Sequence, residues 1–151
     1  MIKAANQHFT EADFQPQLTP QEMLELGVFG GSYFGEDHSE FPASWFEKAQ
    51  LSNNGFNVDC NHFRVAAGQT RAEWQAKGWI TQEDPLGWFQ WYCRFTMGRR
   101  LPGVDSFQIG RWRAFGPRHI GGVRANCEPG DIWCRPRQRQ ALLQWAYDPF
   151  F

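Results

Sequence analysis

Lysine is scarce in this chain: three of its 15 basic residues are lysines and twelve are arginines. No apolar run approaches the roughly 18 residues of a membrane span, which argues against an integral membrane protein. The opening stretch, MIKAANQHFTEADF, has no basic region followed by an apolar one, so a signal peptide is not expected. Four cysteines are too few for a disulfide scaffold in a domain of this size. Free thiols in a reducing cytoplasm are therefore the expectation. Internal repeats, low-complexity tracts and linkers are missing, so 151 residues are read as one domain. At 42% hydrophobic and 21% charged, the chain can bury a core, which excludes intrinsic disorder.

Aromatics and charge asymmetry are what the sequence does have. Its 14 Phe, 8 Trp and 3 Tyr belong in cores, interfaces or stacking sites. Residues 1–75 hold 4 basic and 10 acidic side chains, and residues 76–151 hold 11 and 6. Arginine is favoured where planar anions are gripped or aromatic faces are stacked, because its fork is rigid and permanently charged. A pI near 6.4 lies well below the value above about 9 of a dedicated nucleic-acid domain.

Alternating strand patterns are nearly absent, apart from a short extended piece around Phe56 to Val65. Helix punctuation is plentiful. Thr19-Pro20-Gln21-Glu22 is a capping box with proline at the first helical position, and Gly27 ends that helix. A short helix opens at Pro42, and Thr70-Arg71-Ala72-Glu73 is a second capping box closed by Gly78. Asp84-Pro85 starts a helix to about Met97. Asp105 caps another through Phe115, broken or kinked at Gly116-Pro117, with a further stretch to Cys127. Pro136 opens the last helix. The reading is an all-α domain over 19–151, with six or seven short helices around a central aromatic-rich one and an N-terminal arm over 1–18.

Helical phasing at about 100° per residue shows which polar groups point inward. On the Pro85 helix, Trp88, Phe89, Trp91, Tyr92, Cys93 and Phe95 cover most of the circumference. Gly87, Gln90, Arg94 and Gly98 form its one polar seam, kept shallow by the glycines. Gln108 and Arg111 interrupt the apolar stripe of the next helix, and Arg139 that of the last. Arg113 points outward, and Arg137, Gln144 and Asp148 make a solvent face. A buried guanidinium needs an anionic partner. Either carboxylates of the acidic half such as Asp37, Glu40 or Asp59 meet these arginines, or they hold a small anionic, aromatic or nucleotide-like ligand. In the second case Arg94, Arg111 and Arg139 neutralise charge, Gln90 and Gln108 orient, and Trp88, Trp91 or Trp112 stack. Acid–base chemistry would fall to Asp37 or His38, in the cluster from Glu36 to Glu40. The glycines from Gly27 to Gly35 are read as a bend carrying Phe29, Tyr33 and Phe34 into the core. Zinc built from Cys60, His62, Cys127 and Cys134 matches no tight signature, so neither a metal nor a cofactor is expected. Two alternatives stand beside ligand binding. One is a nucleic-acid module using Arg99, Arg100, Arg113, Arg118, Arg124 and Arg137 with Trp stacking. The other is an aromatic protein-interaction domain.

Several motifs also carry a resemblance. They are Pro20 to Gly31 (Pro-x-x-Met-Leu-Glu-Leu-Gly-Val-Phe-Gly-Gly), then Asp37, Glu40 to Pro42, Trp45 and Phe46. Gly78 to Ile80, Asp84 to Arg94 and Gly98 to Arg100 continue the series. Gln108-Ile109, Arg111-Trp112 and Arg137 to Asp148 complete it. Over about Thr19 to Asp148 the chain resembles a family of small, uncharacterised single-domain proteins of bacteria and fungi. The resemblance brings no activity, substrate or catalytic residue with it. The chain departs from that pattern at His38, where a cysteine is expected, and at Gly116-Pro117, which falls in a helix continuous elsewhere.

Overall fold

The computed structural model describes residues 7–68 and 71–151. Five α-helices run through them: α1 (Pro20–Leu26), α2 (Arg71–Ala76), α3 (Trp88–Thr96), α4 (Pro102–Asn126) and α5 (Pro136–Gln144). Four 3-10 turns join them, at Glu11–Asp13, Phe29–Gly31, Ala43–Trp45 and Val58–Cys60. Among the described residues there is no β-strand, so the chain is all-α. The Pro42 helix is reduced to a 3-10 turn, and the extended piece from Phe56 to Val65 is turns around Val58–Cys60.

Capping chemistry explains where α1 begins and ends. The Thr19 hydroxyl accepts from the Glu22 amide at 3.1 Å, and the Glu22 carboxylate accepts from the Thr19 amide at 2.9 Å. Gly27 stops the helix at φ +112°, where a Cβ would run into the Cys60 carbonyl. For α2, Thr70 of the expected capping box lies outside the described residues.

α3 is the most buried helix. Seven of its nine residues are enclosed, including Trp91 and Cys93 at 0% exposure. It starts at Trp88 and not at Pro85, because the Asp84 side chain turns inward to meet arginines and cannot cap. Phe14, from the N-terminal arm, plugs the gap between α3 and α4, with its ring 5.3 Å from Trp91 and 4.9 Å from Trp112. The described part of the arm is thus strapped to the body, and Tyr92 secures it by donating to the Leu18 carbonyl at 2.6 Å.

α4 merges two of the expected helices, and with the Pro42 helix reduced to a turn this brings the count to five. Pro117 interrupts nothing visible in its course from Pro102 to Asn126. Arg113, whose carbonyl loses its partner to proline, is an exposed residue, which makes that loss cheap. Gly116 beside it faces inward, and the Tyr147 ring occupies the space a side chain would need. α5 packs antiparallel on α4: Gln138 meets Gly122 at one end, and Trp145 accepts from the Trp112 indole at the other. The turn between them is closed by a Cys127–Cys134 disulfide. That bridge corrects the expectation of free thiols at these positions, and with it the cysteine argument for a reducing cytoplasm. No helix among the described residues is long and apolar enough to cross a membrane.

Candidate functional site

The inward-facing arginines are placed as the phasing demands. Arg113 and Arg137 are exposed, Arg94 and Arg111 half-buried, and Arg139 fully buried. They do not converge on one cavity, however. Each of the three ends in its own surroundings.

Arg94 is met by protein carboxylates. Its Nε and Nη2 form a fork on Glu40 at 2.6 and 2.9 Å, while Nη1 reaches the Asp84 carboxylate at 3.0 Å and the Glu83 carbonyl at 2.7 Å. Asp84, at 0% exposure, is shared with Arg99, whose Nη1 and Nη2 grip it at 2.9 and 2.7 Å. The Glu40–Arg94 pair is the clamp between the acidic and basic halves, and Asp84 ties Arg94 to Arg99 within the basic one. An open groove of about 310 Å³ runs beside it, lined by Glu40, Phe41, Arg94, Met97 and Arg99. All three Arg94 nitrogens are already spent on protein acceptors, so they do not serve a ligand there.

The Arg94 guanidinium holds the Glu40 carboxyl below its usual range. A lowered folded-state value means that the pair stabilises the protein above about pH 4.5 and that this contribution fades as the pH falls through the lowered value. Glu40→Gln is accordingly expected to weaken the protein modestly at neutral pH. The gap to the parent should shrink as chemical-denaturation curves are taken from about pH 6 to about pH 3.

Arg139 meets no carboxylate side chain. It donates to the main-chain oxygens of Cys134 (2.6 Å), Pro149 (2.7 Å), Phe151 (2.9 Å) and Asp131 (2.9 Å). It ties the disulfide turn to residues 149–151. Gln140 and Gln144 act likewise on the other side of α5, accepting from the Phe63 and Phe29 amides. Gln144, expected on the solvent face, is 5% exposed.

Arg111 is different. Its Nη1 donates to the Trp79 carbonyl at 3.0 Å and to Gln108 Oε1 at 3.1 Å. Among the described residues no ion pair reaches it. The guanidinium lies 5.0 Å from the centre of the Trp79 ring and 5.1 Å from that of Trp145, so aromatic faces supply its electrostatic support. Burial pushes its pKa down to about 10. Nε and Nη2 make no hydrogen bond within the described structure. Next to it, Gln108 is 0% exposed and its Nε2 has no partner among the described residues. The recess in front of Arg111 is walled by Phe29, Tyr33, Trp74, Trp79, Trp88 and Trp145, with Gly87 in its wall. It leaves a cavity of about 20 Å³, about the room one water needs.

The remaining expected site residues lie elsewhere. Trp91 and Trp112 are core residues whose indoles donate to Asp105 and the Trp145 carbonyl. Gln90 accepts from the Leu86 amide and belongs to the start of α3. Asp37 accepts from the amide and hydroxyl of Ser39, which hold its carboxyl below the usual range. The His38 ring stacks on Phe46 at 4.0 Å, and neither Asp37 nor His38 lines the Arg111 recess. The glycine bend is structural. The Gly30 amide donates to buried Asn61, and Phe29 and Tyr33 pack on Phe89. Cys127 and Cys134 are spent on each other, and among the described residues no group of three or more metal-ligating side chains gathers.

Trp79, Trp145 and Tyr33 were not foreseen as site residues. Trp79 and Trp145 fall just beyond helix ends, where the helical period no longer places a side chain. Comparison with family models, curated proteins and solved structures returns no match, so the chemistry of the recess rests on its own residues.

Proposed function

We propose that this chain binds a small monocarboxylate with a flat apolar body in the recess at Arg111. The observation that carries this reading is a half-buried guanidinium with two idle donors, Nε and Nη2, and no carboxylate among the described residues to neutralise it. A carboxylate matches that fork bidentately and brings one charge for one charge. A nucleotide would bring at least two charges to a single cation. Gln108 does not line the recess, and its Oε1, by accepting from Nη1, holds the guanidinium in place. The tryptophan walls suit a planar ring.

The segment from Trp74 to Ile80 is the cover. Its outer residues 75–78 are exposed, and the Trp79 carbonyl is latched to Arg111. With about 20 Å³ free, a ring enters only when this segment swings out and the arriving carboxylate takes over the guanidinium. Acid–base catalysis has no support from the recess, because Asp37 and His38 are not part of it.

Isothermal titration calorimetry with benzoate, benzamide and inorganic phosphate tests the reading. Benzoate is expected to bind, while the neutral amide and the ring-less anion should bind at least about tenfold more weakly. Equal binding of benzoate and benzamide, or no binding of any carboxylate, would discard the proposal.

A further inference from the structure

We infer that the outer face of α4, continued onto the disulfide turn, is a binding surface for single-stranded nucleic acid. It is separate from the Arg111 recess and rests on two independent features that the fold makes contiguous. The first is charge. Between Asp105 and Glu128 the chain contains four arginines and no acid. Arg118 and Arg124 are exposed on α4, with small residues Pro117, Gly121 and Ala125 exposed between and beside them. Open space surrounds Gly121, so a phosphodiester can approach the helix closely. Arg137, also exposed, is brought alongside because its neighbour Gln138 packs on Gly122. None of the three makes an ion pair among the described residues, in contrast to Arg94, Arg99 and Arg100. The near-neutral total charge hides this, because it also counts acids such as Glu11, Glu40 and Asp84 that are spent on those pairs.

The second feature is an aromatic platform at the end of the ridge. Trp133 is 59% exposed, more than the other exposed large hydrophobic side chains, and its loop is bound to the end of α4 by the Cys127–Cys134 bridge. The ring of His62 lies parallel to it with centroids 6.2 Å apart, and Phe63 supports it edge-on. Phe150 meets His62 at 5.0 Å, and the adjoining Phe151 lies under the Arg124 guanidinium at 5.4 Å. Aromatic rings thus lie at both ends of the stretch from Arg124 to Trp133, with Phe150 and Phe151 adjoining in the chain. Cations that follow a backbone, next to an exposed indole face, are what a single strand uses: phosphates on the arginines and a base stacked on the tryptophan. In a duplex that base face is already stacked and hidden. The nearest acids in sequence, Glu128 and Asp131, sit on the disulfide turn, past the last of the α4 arginines.

Fluorescence anisotropy with a labelled oligothymidylate of about 20 nucleotides, and a duplex of the same length, tests this with the disulfide intact. The single strand is expected to bind more tightly than the duplex. Its log affinity should fall with log salt at a slope of about −2, corresponding to three phosphate contacts at about −0.7 each. Trp133→Ala should weaken binding about tenfold or more at every salt concentration and leave the slope unchanged. The triple variant R118A/R124A/R137A should flatten the slope towards zero. All these side chains are exposed, so circular dichroism should match the parent and folding does not confuse the result. Absence of binding at about 50 mM salt, or duplex bound as tightly with Trp133→Ala silent, overturns the inference. So does a Trp133-dependent dimer in sedimentation that binds no oligonucleotide.

Discussion

Arg139→Met is expected to abolish stable folding, the largest effect of any single change considered for this chain. The side chain is fully buried, and its guanidinium bonds four main-chain oxygens from two separate stretches, 131–134 and 149–151. Methionine fills much of the volume and leaves three of the four acceptors without this donor, while the Asp131 carbonyl keeps the Cys134 amide at 3.1 Å. Each abandoned buried acceptor costs about 1–3 kcal/mol. The total is comparable to the about 5–15 kcal/mol that holds a domain together. Arg139→Lys should recover only part of this, since one ammonium with three donors cannot span four oxygens that a planar fork reaches. Chemical denaturation checks it. A midpoint for Arg139→Met close to that of the parent would mean that water serves these carbonyls equally well.

Asp84→Ala should produce the next largest loss, about 3–5 kcal/mol. Asp84 has 0% exposure and is the anion common to Arg94 and Arg99. Its removal leaves two guanidinium groups facing each other with Glu40, half-exposed, as the remaining carboxylate. Urea unfolding of Asp84→Ala beside Glu40→Ala separates the two carboxylates. The buried one should matter several times more than the surface one, because exposed pairs contribute about 0–1 kcal/mol. Equal losses would place the clamp at the surface and not in the core.

Where a side chain faces was largely legible from the helical period, and what it meets was not. The period correctly ordered Arg113 and Arg137 as exposed against Arg94, Arg111 and Arg139, and marked α3 as the central helix. The capping box at Thr19 located α1 to the residue. The partners, by contrast, are long-range. Glu40 stands 54 positions from Arg94, and nothing local distinguishes it from Asp37 or Asp59. The Arg139 acceptors are main-chain oxygens, which every residue has and no composition reveals. Pro117 reads as a break because sequence does not show that Arg113, whose carbonyl it leaves without a donor, lies on the exposed side of the helix. Cys127 and Cys134 were spaced across a turn in plain view. Whether two such cysteines bond depends on the α4–α5 packing that brings their Cα atoms to 5.8 Å.

The central contrast is between Arg94 and Arg139, whose partners belong to the protein, and Arg111, for which we propose a ligand carboxylate. Thermal melts of the parent and Arg111→Met, each with and without benzoate, test it most directly. At about a hundred times its Kd, benzoate should stabilise the parent by about 2.7 kcal/mol. For a chain of this size that is about 5–10 °C. Arg111→Met without ligand should stay within about 2 kcal/mol of the parent, since the loss of two hydrogen bonds is offset by removal of an unneutralised buried charge. Benzoate should leave its melting temperature unchanged. A collapse of Arg111→Met as deep as that of Asp84→Ala, or an equal benzoate shift in both proteins, would contradict the account.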